Sequence, residues 1–148
     1  MQEAKVKLNI CDEKALRDAS GLLHDATTTA RETGYDPTLR TFRAVFNRRM
    51  WETSRRQGMF RRMKMSVIHS CLTFNGVEDS HWVWSDRGQQ QVYELSHIEH
   101  RDSQIALHFH TGERVIVKTK RLEGVLEDLD EPWDDPNPPG SLSFGRDT

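Results

Sequence analysis

Apolar and polar positions alternate over short stretches of this chain and follow a helical period at only two places. The opening "AKVKLNI" sets Val6, Leu8 and Ile10 against Lys5, Lys7 and Asn9, the period of a half-buried strand. Asp12 then stands where an N-cap belongs. Behind it, Leu16, Ala19, Leu23 and Ala26 recur at helical spacing, with acids in the first turn where the helix dipole favours them. Gly21 weakens this helix without ending it.

Threonine-rich "ATTTARE" suits a short strand, and Pro37 makes "GYDPT" a turn, because it fixes its own φ and pushes Asp36 out of the helical region. In "RTFRAVFN", Phe42, Ala44 and Phe46 alternate with Arg43, Val45 and Asn47. That predicts a second half-buried strand. After an arginine-rich connection, "FRRMKMSVIHSCLTFN" predicts the strand that leaves it, rich near its end in β-branched and aromatic residues. The stretch "NGVEDSHWVWSDRGQQQ" carries Asn-Gly and Arg-Gly turn signals around "WVW" and reads as a long excursion.

The pattern sharpens again in "VYELSHIEH", "QIALHFH" and "RVIVKTK", three short strands separated by "RDS" and "TGE", which form an antiparallel meander. The second helical period follows: Leu122, Val125, Leu126 and Leu129 fall at i, i+3, i+4 and i+7, with Glu123, Glu127 and Asp128 facing outward. These elements predict one α+β domain over residues 1–133: a curved, mostly antiparallel sheet of about six or seven strands, covered by an N-terminal and a C-terminal amphipathic helix. A late meander followed by a C-terminal helix is shared with pleckstrin-homology-type barrels or rolls, a fold analogy that says nothing about ligands. Residues 134–148 are acidic and proline-rich, and the expectation for them is a disordered tail.

Three segments carry a resemblance: "LNICDEKALRDASGLLHDA", "RTFRAVFNRRMWE" with its Asn-Arg-x-x-Trp-Glu end, and "IALHFHTGERVIVKTKRLEGVLEDLDEPW". Together they span about half of the chain, and on them the chain resembles an uncharacterised bacterial domain-of-unknown-function family common in alphaproteobacteria. The resemblance implies a small α+β domain. It brings no functional residues with it.

Composition bounds the function classes. Apolar residues make up 35% of the 148 positions, and even with the nine glycines added the share stays below the roughly 45–50% of ordinary soluble domains. The apolar runs are far shorter than the roughly 20 residues of a membrane helix, and "MQEAKVKLNICDEK" lacks an apolar signal-peptide core. The expectation is a soluble, cytoplasmic chain without a membrane partner. Cys11 and Cys71 have no metal-ligand spacing and read as reduced thiols.

Charge changes the picture more. The formal net charge is −2, yet residues 40–64 hold nine Arg or Lys against Glu52, a local +8, and residues 121–148 hold eight acids against Arg121 and Arg146, a local −6. A protein built throughout for nucleic acid is usually basic overall, so only the local patch keeps that class open. Within "NRRMWETSRRQGMFRRMK" the candidate contact residues are Arg48, Arg49, Trp51, Arg55, Arg56, Phe60, Arg61 and Arg62. Three readings stand for them. They contact an acidic protein partner or the chain's own tail; they bind RNA or single-stranded DNA, arginines on phosphates and Trp51 or Phe60 stacked on bases; or the aromatics close the core while the arginines stay in solvent.

The second candidate is histidine. If Asp102–Ser103 forms the tip of an even hairpin, His97 lies opposite His108, His110 points to the same face, and Ile98, Ile105, Leu107 and Phe109 share the other. Such a face could ligate zinc, with Glu99 or Glu94 nearby in sequence, or it is merely the polar side of amphipathic strands. "IHSC" puts His69, Ser70 and Cys71 side by side, but neighbours on a strand face opposite ways, so adjacency does not make a dyad. The chain has no phosphate-binding Gly-rich loop, no Gly-x-Ser-x-Gly and no His-Glu-x-x-His. No catalytic residue is assigned. The expected function is therefore a non-enzymatic binding or adaptor module acting through residues 48–62, with an enzyme or metal-binding protein using the histidine face as the alternative.

Overall fold

Asp12 starts the helix that the sequence predicts: its side chain accepts the Ala15 N–H at 2.8 Å and caps α1 (Glu13–Leu22). A computed structural model of the chain describes residues 5–50, 66–130 and 133–134. Around α1 run β1 (Lys7–Ile10), β2 (Thr27–Thr28), a 3-10 turn (Ala30–Glu32), β3 (Thr33–Asp36), β4 (Thr41–Arg49) and β5 (Ser66–Asn75). Then come β6 (Asp79–Val83), β7 (Tyr93–Arg101), β8 (Gln104–Phe109), β9 (Arg114–Lys118), β10 (Gly124–Asp128) and β11 (Trp133–Asp134). The architecture is mostly antiparallel sheet with one helix among the described residues.

The 11 strands follow the order β1-β10-β5-β4-β2-β7-β8-β9-β6, with β3 added to β4 and β11 to β5. One half of this path is built on the long β4–β5 pair, and the other on the β7–β8–β9 meander. Two-residue β2 joins the halves, since Thr27 pairs with both Asn47 of β4 and Glu94 of β7. The sheet curls at this seam. α1 then packs against both β1 and β7 and lays Leu16, Ala19 and Leu23 into the same core as Phe42, Phe46, Leu72, Phe74, Leu95 and Leu107. Ser20 Oγ accepts the Ile98 N–H at 2.9 Å, a donor on β7 that the two-residue β2 is too short to pair.

Side chains also tie β3 to β6 and to the residues just before it. Tyr35 donates its hydroxyl to Val77 O at 2.6 Å, and Trp82 Nε1 donates to Thr33 Oγ1 at 3.2 Å. The "WVW" alternation sets Trp82 and Trp84 on one side of the chain, where their rings stack at 4.6 Å, while Trp82 also stacks on Phe109 at 5.4 Å. The long excursion of the sequence thus contains β6, anchored by Trp82.

The predicted C-terminal helix is corrected: residues 124–128 are β10, a strand between β1 and β5. The reason lies in what the inward positions hold. Gly124 lies so close to β5 that an added Cβ would stand 2.3 Å from Thr73 O, Leu126 is buried, and Asp128 is buried rather than outward. With a glycine and a charge at two inward positions, the alternation loses its apolar signature. The helical reading also required Leu129 inside, and it is 51% exposed. The likeness to a pleckstrin-homology-type barrel depended on that helix and loses its support.

Asp128 is inward because it meets Arg48. Arg48 Nε donates to Asp128 Oδ1 at 3.1 Å and its NH2 to Oδ2 at 2.9 Å, a two-pronged pair with both side chains 0% exposed. Ser70 Oγ also donates to Asp128 Oδ1 at 2.5 Å, and the Val6 N–H to Oδ2 at 2.8 Å. β4, β5, β10 and the residue before β1 therefore converge on one carboxylate. Removing one partner of a buried pair strands the other charge, so Asp128→Ala should cost about 3–5 kcal/mol. In urea unfolding, Arg48→Met/Asp128→Leu should recover most of that loss; a double variant as unstable as the single one contradicts the assignment.

Candidate functional site

The sheet fixes both ends of the basic connection and leaves its middle outside the described residues. Met50 N–H donates to Ser66 O at 2.9 Å, and Arg49 pairs with Val67, so the chain departs from β4 and returns on β5 at one point. Trp51, Arg55, Arg56, Phe60, Arg61 and Arg62 lie in the 51–65 stretch outside the described residues. Of the described candidates, Arg48 is in the interior with Asp128 and is no surface contact. Arg49 is largely covered: its NH1 donates to Asp25 O at 2.5 Å and reaches Glu94 Oε2 at 3.4 Å.

The histidine face is fixed by the β7–β8 hairpin. Asp102 and Ser103 take φ of 55° and 62° at its tip, the two-residue turn that sets even register. His97 consequently pairs with His108, and Ile98, Ile105, Leu107 and Phe109 are buried on the other side. The His97 and His108 rings stack at 4.5 Å with 14° between planes. His108 Nε2 lies 3.0 Å from Glu99 Oε1, and His97 Nδ1 lies 3.0 Å from Ser96 Oγ. Glu99 and His108 also line a shallow groove of about 220 Å³ with Arg101, Gln104 and Arg114.

His110 is not brought to this pair. β8 ends at Phe109, and the register shifts between Leu95 and His97. Beyond the shift, His110 N–H donates to Glu94 O at 2.9 Å, and His110 Nε2 meets Asp25 Oδ1 at 2.7 Å. Asp25 sits at the corner leaving α1 with a left-handed φ of 63°. Two groups therefore replace the predicted three-histidine face: His97, Glu99 and His108; and Asp25, Glu94 and His110. The sequence reading had both glutamates as neighbours but missed Asp25, whose place depends on a corner with no turn motif to announce it.

"IHSC" does not form a nucleophile site. Ser70 is buried against Asp128, His69 Nδ1 lies 2.5 Å from Asp130 Oδ2, and Cys71 Sγ contacts Thr73 Oγ1 at 3.6 Å. Cys11 is exposed and Cys71 half-buried, both free thiols. Among the described residues, no helix is long and apolar enough to cross a membrane.

The family model described as protein of unknown function (DUF2948) matches residues 6–141. The chain belongs to the DUF2948 family. No curated protein and no solved structure matches it.

In this DUF2948 chain, three carboxylates, Glu99 in the hairpin group and Glu113 and Asp130 elsewhere, are lowered by their partners. The His108 hydrogen bond keeps Glu99 below its ordinary 4.5, against the opposing effect of burial and helped by the charges of Arg101, His108 and His97. For Glu113, burial pushes upward, but hydrogen bonds from Thr111 and Ser85 outweigh it and the group ends lowered. Asp130 behaves likewise: burial raises it and the His69 side chain and backbone lower it further.

A lowered carboxylate adds stability that is present above its unfolded pKa and lost as pH falls through the folded value. His108→Ala should therefore move the Glu99 midpoint up toward 4.5 in a carboxyl-detected NMR titration. It should also flatten the acid side of the stability profile. An unmoved midpoint means that His108 does not hold Glu99.

Proposed function

We propose that this domain is a non-enzymatic binding module and that its arginine-rich β4–β5 connection contacts an acidic protein partner. The closure of that connection carries the reading: Met50 and Ser66 are joined backbone to backbone at the end of the sheet's long strand pair. A rigid base supports presentation of a segment whose sequence holds Arg55, Arg56, Arg61 and Arg62 around Trp51 and Phe60, with Glu52 as its sole acid. Burial of Arg48 against Asp128 takes that residue out of the proposed contact set, which starts beyond it.

The tail competes for the same segment. β11 pairs with Val67 and Ser66 of β5, so the acidic 134–148 sequence begins beside the exit of the basic connection. Tethering gives such a segment a high effective concentration, of order millimolar for short linkers. Surface ion pairs are worth about 0–1 kcal/mol each, so an external acidic partner with an apolar contact to Trp51 or Phe60 displaces the tail. The non-enzymatic reading draws support from the polar groups of the interior, where Ser70, Arg48 and Asp128 are used to bind each other.

An anisotropy series with an acidic peptide, single-stranded RNA and single-stranded DNA over rising salt tests the proposal. The peptide should bind, and Arg55→Glu/Arg56→Glu should weaken it roughly tenfold, two surface pairs at about 1 kcal/mol or less each. RNA or DNA binding that is tighter than the peptide's, falls steeply with salt and is lost in the double variant transfers the segment to nucleic acid. Equal peptide binding by both proteins removes the segment from the function.

A further inference from the structure

We propose that His97, Glu99 and His108 form a binding site for a divalent transition metal of the zinc class, on the solvent side of the β7–β8 hairpin. The site uses residues apart from the basic connection and stands independently of the binding-module reading. Each of the three side chains offers one ligand atom, and these atoms lie within 4.8 Å of one another. Tetrahedral zinc with bonds of about 2.0–2.1 Å requires ligand atoms about 3.3 Å apart. His108 Nε2 and Glu99 Oε1 are already at 3.0 Å, so a metal replaces the hydrogen bond between them.

The hairpin does the assembling. Cross-strand register puts His97 against His108, and the stacked rings present their edges side by side. Glu99 follows two residues after His97 on the same face of β7. Ser96 Oγ occupies His97 Nδ1, which orients the ring and leaves Nε2 for the metal, the supporting contact that ligating histidines usually have. A two-histidine, one-carboxylate set suits a borderline-soft cation rather than magnesium or calcium, which favour all-oxygen shells.

Local charge distinguishes this group from its neighbour. At Asp25, Glu94 and His110, the Arg49 guanidinium lies 3.4 Å from Glu94 and holds the place of a cation. At Glu99, Arg101 lies at the same 3.4 Å from Oε2, but its side chain is 73% exposed where that of Arg49 is 17%, and Oε1 faces His108. Three protein ligands leave a fourth position open, and Glu99 and His108 border the groove that also holds Arg101 and Arg114. A water or small anion completes the shell there.

The test is calorimetric titration of the full chain, purified without a His tag and stripped with chelator, using Zn²⁺ alone, with Co²⁺ absorption reporting coordination geometry. One ion per chain is expected, with tetrahedral Co²⁺ bands. His97→Ala, Glu99→Gln and His108→Ala should each weaken binding about tenfold or more, at least the cost of losing a supporting contact. His110→Ala should bind as the wild type does. All three substituted side chains are on the solvent side of the hairpin, and circular dichroism verifies that the variants are folded. No uptake, or uptake lost in His110→Ala and retained in His108→Ala, overturns the assignment.

Discussion

The buried pairing of Arg48 with Asp128 is the constraint around which the β4–β5 half of the sheet is arranged. A guanidinium and a carboxylate withdrawn together from water must satisfy each other and their remaining hydrogen-bonding groups from within the protein. Two prongs from Arg48, the Ser70 hydroxyl and the Val6 N–H meet this requirement at Asp128. The arrangement specifies register. A one-residue slip of β10 against β5 would turn Asp128 to solvent and take its carboxylate away from the buried Arg48 guanidinium, so the pair selects the alignment in which Asp128 stands opposite Ser70.

The second half is attached by backbone geometry. β2 is only two residues long, yet it supplies hydrogen bonds to β4 on one side and β7 on the other. Around it, Asp25 N–H donates to Leu95 O and Leu95 N–H to Ala26 O, and Ser20 completes the edge. The corner that follows α1 thus positions the helix over the core and brings Asp25 toward Glu94, His110 and Arg49. Structural and chemical roles coincide there: the cation beside Glu94 is the largely covered Arg49, whereas the one beside Glu99 is the exposed Arg101.

Charge asymmetry in the sequence takes on a different meaning once partners are assigned. Of the cluster between residues 40 and 64, Arg48 is neutralised inside the fold and Arg49 lies against Asp25 O and Glu94. Of the acids between 121 and 148, Asp128 belongs to the interior and Asp130 to His69. The remaining cations of that cluster are mostly those whose sequence positions follow Met50, and β11 pairs Trp133 and Asp134, where the acidic tail begins, with Val67 and Ser66 of β5.

The sequence by itself determined the strands whose side chains sort cleanly between core and water. β4, β5 and the β7–β8–β9 meander follow from alternation, α1 from its cap and period, and the His97–His108 pairing from the parity of a two-residue turn. All of these depend on contacts local in sequence or on a strict period. Tertiary structure alone decided the rest. Gly124 and Asp128 occupy inward positions that neither periodicity nor hydropathy can recognise, because their suitability comes from Thr73 and Phe74 beside one and Arg48 beside the other. The same physics separates His110 from His97: a register shift in β7 and a carboxylate at the end of α1 act across most of the chain's length, and an apolar–polar pattern carries no record of either.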